Sequence, residues 1–131
     1  EEEAYSPLIE MGITKNEVRE MARLLNISIT HKPSMACLSS RIPYGEIITI
    51  QRLTRVAGAE KIIKNIVNVK QLRVRDHGNL ARIEVNPKER PLFFKEKILD
   101  TIAKRLHSIG YTYVTIDANG YRTGSMNETL E

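Results

Sequence analysis

The 131-residue chain carries 41% hydrophobic and 27% charged residues, so one domain with a real core is expected, and disorder or a fibrous repeat is excluded. The net charge of +4 suits a phosphate-bearing partner but equally a lysine-rich solvated surface, so charge alone does not choose. No apolar run approaches the roughly 20 residues that cross a bilayer, and the single cysteine cannot form an internal disulfide, which makes the cytoplasm the economical expectation.

In chain order, Glu1-Glu2-Glu3 has neither the basic segment nor the apolar run of a signal peptide and reads as a cut end. Thr14 and Glu17 have the form of a capping box. Val18, Met21, Ala22 and Leu25 follow at helical spacing, which predicts an amphipathic helix from Thr14 to about Asn26. Ile27 to Thr30 alternates like a short strand. Pro33, Pro43 and Gly45 then mark an irregular stretch that holds Cys37 and a candidate strand at Leu38 to Ile42.

Thr49 can cap a second helix, with Ile50, Leu53, Val56, Ala57 and Ile63 as its buried stripe and Glu60 out of place on that stripe. Leu72 to Arg75 and Leu80 to Val85 alternate with period two around Asp76-His77-Gly78-Asn79, the pattern of a β-hairpin. Asn86-Pro87 opens a helical region restarted by Pro91, in which Phe94, Ile98, Ile102, Ala103 and Leu106 run to Gly110. Tyr113 to Asp117 is the last strand, and Ala118 to Glu131 reads as a loop.

With Leu38 to Ile42 as a strand, the order is βαββαβ, and the fold class is α+β: a ferredoxin-like two-layer sandwich preceded by a helix. Alternation packs Leu72, Val74, Ala81, Ile83, Val85, Val114 and Ile116 under the helices. Arg73, Arg75, Arg82, Glu84, Tyr113, Thr115 and Asp117 fall on the opposite face. Three arginines there could grip phosphate or carboxylate oxygens, or the face could be solvated and ion-paired across strands.

Cys37 lies among Ser34, Ser39, Ser40 and Arg41, where a nearby cation would favour the thiolate; a lone cysteine is also a common buried, inert residue. Glu60 is either a carboxyl facing a site or one that reaches out from the edge of the stripe. His31, His77 and His107 have no metal-ligand spacing with Cys37 or each other, so no zinc site is expected. Neither a Walker sequence nor a dinucleotide fingerprint occurs.

Ser6-Pro7-Leu8 and the helix Lys15 to Leu25 resemble the segment that follows the nucleotide-binding sheet of PP-loop ATP pyrophosphatases. Lys32 through Gly45, with Cys37-Leu38-Ser39-Ser40-Arg41 at its centre, is similar to the cysteine segment of LarE-type ATP-dependent sacrificial sulfur transferases. Ala59-Glu60, Arg73-Val74-Arg75, His77-Gly78, Ala81 to Val85 and Gly120 to Ser125 continue that resemblance in order.

The resemblance implies two regions: residues 1–32 as the end of a PP-loop ATP-binding domain and residues 33–131 as an α+β sulfur-transfer and substrate-binding domain. It implies an enzyme of nickel-pincer cofactor synthesis that adenylates a carboxylate of a pyridinium mononucleotide and then installs sulfur. Cys37 would give up its own sulfur, leaving dehydroalanine, or help hold an iron-sulfur cluster. Arg73 and Arg75 would hold a substrate phosphate, with Arg82 and Glu84 on the same face, Ser40 and Arg41 near the thiol, and Glu60 facing the substrate or assisting proton transfer. ATP and Mg would bind outside this chain, which by itself is expected to be inactive. The expected partners are the pyridinium mononucleotide, the PP-loop domain of the same protein and further copies in a homo-oligomer.

Two other readings are an RNA-binding module, since a basic βαββαβ domain is also the RRM plan, and a pure oligomerisation domain. Against RNA, the exposed hairpin positions Arg73, Arg75, Arg82 and Glu84 include no aromatic, and only Tyr113 could stack on a base.

Overall fold

The computed structural model describes residues 5–28 and 36–128. The chain divides into two compact units, Glu1–Met35 and Ala36–Glu131. In the first, helices α1 (Pro7–Glu10) and α2 (Lys15–Leu24) are described. The expected capping box forms: Thr14 Oγ1 accepts from the Glu17 amide, and the Glu17 carboxylate accepts from the Thr14 amide at 2.7 Å. The predicted strand at Ile27 to Thr30 is not formed at Ile27 and Ser28, and Ile29 and Thr30 lie outside the described residues. Asn26, at φ 55°, ends the helical path in the left-handed conformation that asparagine tolerates.

The second unit is built on helices α3 (Ile50–Ile66) and α4 (Glu96–His107) and strands β1 (Leu72–His77), β2 (Leu80–Val85) and β3 (Tyr113–Ile116). β1 and β2 are antiparallel with Val74 opposite Ile83, and β2 and β3 are parallel with Ala81 opposite Val114. The fold class is α+β, as alternation and helical periodicity require. The hairpin turn is tighter than predicted, because β1 continues to His77 and pairs with Leu80 across Gly78-Asn79; Gly78 takes φ 72° there.

One expected strand is absent. Leu38–Arg41 is a 3₁₀ turn, so the sheet has three strands among the described residues and the fourth strand of a βαββαβ sandwich is not formed. The cause is local: Ser40 Oγ donates to the Cys37 carbonyl at 2.7 Å, and the Arg41 side chain gathers the Ala36 and Cys37 carbonyls at 2.9 and 3.0 Å. Side chains that bond nearby backbone compete with a strand ladder for the same groups.

The core contains the residues that alternation placed under the helices, including Leu72, Val74, Ala81, Ile83 and Val85, all fully buried, with Ile63, Ile102 and Leu106 above them. Two stripes are corrected. On α3, Ile50 and Ala57 are exposed and Ala59 is buried instead, beside Val56, Glu60 and Ile63; the first turn of α3 therefore contributes no apolar residue to the core. Before α4, Pro87–Phe93 is 3₁₀ helix, whose tighter winding shifts the phase so that Phe93 is buried and Phe94 exposed.

Candidate functional site

Cys37 precedes the 3₁₀ turn, and its thiol is exposed rather than buried in the core. Ser39 Oγ donates to Cys37 Sγ at 3.1 Å. The thiol pKa is lowered: hydrogen bonds from the Ser39 side chain and backbone favour the thiolate, outweigh a slight desolvation, and are assisted by the charge of Arg41. An exposed sulfur biased towards its anionic form is a nucleophile in waiting.

Arg41 turns inward and is buried. Besides the two carbonyls, its Nη1 reaches Ser40 Oγ at 3.1 Å, and its Nε donates to Glu60 Oε1 at 3.0 Å. The same carboxylate oxygen accepts from the Val74 amide at 3.2 Å, on the edge strand β1. Glu60 therefore satisfies an edge amide and anchors the cysteine segment through Arg41, which explains an acid on an apolar stripe.

The opposite sheet face brings Arg73 and Glu84 together as a cross-strand pair of positions, and Arg75 with Arg82. Its β1–β2 part is not solvated. Arg73, Arg75 and Glu84 are buried, and residues from the 38–41 turn and the tail reach over them. Arg75 donates from Nε and Nη2 to Glu84 Oε2 at 3.0 and 2.7 Å, from Nη1 to the Ser40 carbonyl at 2.9 Å and from Nη2 to Ser125 Oγ at 3.0 Å. Four contacts occupy most of the donors a guanidinium owns.

Arg82 lies 3.3 Å from Glu84 Oε1 and bonds Asp117 Oδ2 at 2.8 Å. The guanidinium of Arg73 stacks over Tyr121, 5.4 Å from the ring centre, and its Nη1 donates to the Leu72 carbonyl at 2.8 Å. Burial, and then the neighbouring charge of Arg41, lower the Arg73 pKa. An RRM-like sheet stacks bases on an open face; here the β1–β2 part of the face is covered, while Tyr113 and Thr115 on β3 stay exposed.

The tail that closes it is not a passive loop. Tyr121 donates its amide to the Val85 carbonyl at 2.7 Å, carrying the backbone contact past the end of β3 to the last residue of β2. Gly120 makes this possible at φ 72°, where an added Cβ would stand 2.5 Å from that carbonyl oxygen. Ser125 Oγ then contacts both Glu84 oxygens, at 2.9 and 3.2 Å.

Of the residues predicted from sequence, Ser40, Arg41, Glu60, Arg75 and Glu84 join the cysteine segment in one continuous hydrogen-bond network. Arg82 extends it towards Asp117, and Arg73 lies alongside through Tyr121. Sequence reasoning left out Ser39 and Ser125 as site residues. Nothing in the tail's periodicity distinguishes Ser125, whereas Ser39 is signalled by lying two positions from the cysteine. It also missed Asp76, which shares the period-two face of Leu72 and Val74 and so carried the same out-of-place signal as Glu60.

Among the described residues no group of three or more His, Cys, Asp or Glu side chains could hold a metal ion. Cys37, the chain's one cysteine, is a single thiolate where an iron-sulfur cluster takes about four ligands. This chain's own residues do not fit a cluster. No described helix is long and apolar enough to cross a membrane.

No family model matches the chain. It is 42% identical over 125 residues to an uncharacterized protein of Synechocystis, a match covering 95% of this chain and 46% of that protein. It is 37% identical over 130 residues to the pyridinium-3,5-bisthiocarboxylic acid mononucleotide synthase of Lactiplantibacillus plantarum, covering 97% of this chain and 45% of the synthase. An uncharacterized protein of Methanocaldococcus jannaschii is 32% identical over 118 residues, covering 90% and 44%. The chain thus spans about half the length of the curated relatives it matches, and nearly all of it is similar to part of a mononucleotide synthase whose named product carries two thiocarboxylates.

Proposed function

We propose that this chain is the thiol-bearing part of a LarE-type, ATP-dependent sulfur transferase that thiolates a pyridinium mononucleotide carboxylate on the way to a nickel-pincer cofactor, with Cys37 as the sulfur donor. The observation that carries this reading is the exposed Cys37 thiol, biased to thiolate by Ser39, in a chain similar over 97% of its length to the named synthase.

In this reading ATP and Mg bind at residues outside the chain, which holds no phosphate-cradling sequence, and produce an acyl adenylate. The Cys37 thiolate attacks the activated carbonyl carbon. A C–S bond forms and the C–O bond to AMP breaks, AMP leaving with the electron pair. A base then removes the Cys37 α-proton and the Cβ–Sγ bond breaks. Sulfur keeps that electron pair as the product thiocarboxylate, and residue 37 becomes dehydroalanine. No external oxidant or reductant is needed.

Ser39 raises the fraction of nucleophile. Arg41 and Glu60 hold the turn that presents it, so Glu60 serves here as a positioning residue. Arg75, Glu84 and Ser125 brace that turn from the sheet through the Ser40 carbonyl.

Intact-mass analysis of the whole protein after turnover with ATP and a pyridinium carboxylate mononucleotide tests this. Loss of the elements of hydrogen sulfide, mapped to Cys37, is the expected result, together with no thiocarboxylate product from Cys37→Ser. An unchanged Cys37 with bound iron would assign the thiol to a cluster completed by other ligands. An unchanged, iron-free Cys37 after several turnovers would sink both uses. The chain alone is expected to transfer no sulfur.

A further inference from the structure

The Cys37 carbonyl oxygen collects more donors than a turn needs. The Ser40 amide donates to it at 3.1 Å, the ordinary bond of a 3₁₀ turn. Ser40 Oγ donates to the same oxygen at 2.7 Å and Arg41 Nη1 at 3.0 Å. Arg41 Nη1 also lies 3.1 Å from Ser40 Oγ, so the guanidinium polarises the hydroxyl it stands beside. An amide oxygen has two lone pairs, and a cation and two further donors converge on them here. Arg41 is buried and its Nε is fixed on Glu60, so the donor set is in place before any reaction begins.

The two serines of the segment serve two different atoms of one residue. Ser39 Oγ is on the sulfur at 3.1 Å, and Ser40 Oγ is on the carbonyl. Attack needs charge on sulfur. Release of the sulfur needs loss of the Cys37 α-proton, and the electron pair left at Cα spreads onto the Cys37 carbonyl oxygen, which becomes an enolate-like oxyanion. Donors already aimed at an oxygen where charge develops lower the barrier to forming that charge.

We infer that Ser40 and Arg41 make an oxyanion hole for the Cys37 carbonyl, and that it catalyses β-elimination at residue 37 by stabilising the enolate. A base takes the proton from Cα, the pair left behind forms the Cα–Cβ double bond, and sulfur leaves with the Cβ–Sγ pair. Ser40 and Arg41 are catalytic in this step because they touch the oxygen that takes the charge. Assigning the step to sulfur delivery rests on the sulfur-transfer reading; the raised acidity of the α-proton does not.

Because the chain has one cysteine, the step can be isolated with the thiol-selective dihalide α,α′-dibromoadipamide. The Cys37 sulfur displaces both bromides and becomes a cyclic sulfonium; base then removes the α-proton, and a tetrahydrothiophene leaves with the Cβ–Sγ pair. Intact mass separates thiol, adduct and dehydroalanine, so one time course gives the rates of adduct formation and of elimination. The folded parent is expected to eliminate faster than the same protein in urea at the same pH. Ser40→Ala should slow elimination from the adduct by about tenfold, less than the roughly 100-fold or more that loss of one oxyanion donor costs an enclosed site, because Ser40 is exposed. Ser40→Thr, which keeps the hydroxyl, should restore the rate, and Arg41→Lys should fall below the parent.

Adduct formation is the control for the turn itself. A proportional fall of both rates in Ser40→Ala would mean that Ser40 only holds the turn and would overturn the inference, as would equal elimination rates in the parent and Ser40→Ala. Neither ATP nor nucleotide takes part in this reaction. Its failure would leave the dehydroalanine expected after turnover in place, whereas an unchanged Cys37 after turnover would remove the sulfur-transfer reading and leave the oxyanion hole standing.

Discussion

Two buried carboxylates, Asp76 and Glu84, are each clasped by two arginines, yet they do different work. Asp76 accepts from Arg52 Nε and Nη2 at 3.0 and 2.8 Å, from Arg55 Nε and Nη2 at 3.0 and 2.6 Å and from the Tyr111 hydroxyl at 3.0 Å. Its partners come from α3 and from the chain just after α4, so it ties both helices to the sheet. Glu84 holds Arg75, Arg82 and Ser125, and through Arg75 the Ser40 carbonyl. The first cluster fixes the scaffold, and the second fixes the segment that carries the thiol. Identical chemistry serves stability or site geometry according to which elements supply the partners.

The largest effect expected from breaking this comparison is at Asp76. Asp76→Asn leaves Arg55 without its countercharge and Arg52 with Glu46 alone, which should cost about 3 kcal/mol and lower Tm by roughly 10 °C, with the Cys37 alkylation rate unchanged. The pH dependence has a definite sign. Burial by itself pushes the Asp76 carboxyl up, but hydrogen bonds from Arg55, Arg52 and Tyr111 outweigh it and hold the pKa below its ordinary value. The stability this adds is fully present above the unfolded value near about 3.9 and is lost as pH falls through the lower folded value. Acid melts of the parent and of Asp76→Asn should therefore converge below that window. Tyr111, pushed up by burial and by the Asp76 charge, stays neutral throughout.

Glu84→Gln should cost less, about 2 kcal/mol, because the tail can open and admit water to Arg75 and Arg82. It should also do what Asp76→Asn does not. Amide exchange should rise locally at residues 120–126, and Cys37 alkylation should change as the Ser40 support loosens. Equal and purely global effects from both variants would erase the distinction between scaffold and site.

The smallest change sharpens the site end alone. Ser39→Ala removes the hydroxyl that favours the Cys37 thiolate. The alkylation midpoint should move up in pH and the rate at neutral pH should fall by a fewfold, since one pKa unit is about tenfold in thiolate at pH below the midpoint. Tm should not move.

Much of the scaffold was legible in the residues. Thr14 with Glu17 specified a helix start by local hydrogen bonds, Thr49 did the same for α3, and period-two alternation at 72–75 and 80–85 identified both the hairpin and its apolar face. Where local rules compete, the reading failed. Leu38 to Ile42 alternates too weakly to outweigh serine and arginine side chains bonding their own backbone, and Phe93 replaced Phe94 because a 3₁₀ turn reset the helical phase.

The site divides the same way. Residue type and neighbourhood singled out Cys37, and alternation grouped Arg73, Arg75, Arg82 and Glu84 on one face, because both are properties of adjacent positions. Whether that face met water or protein was decided by a tail some 40 residues away in sequence, where Ser125 contacts Glu84. The same holds for the cysteine segment, where Cys37 is exposed and Arg41 turns inward to Glu60, 19 residues on. Sequence by itself determined which chemical groups the chain owns and their local periodicity. Burial, pairing and enclosure depend on contacts between distant residues, and only the tertiary structure decided those.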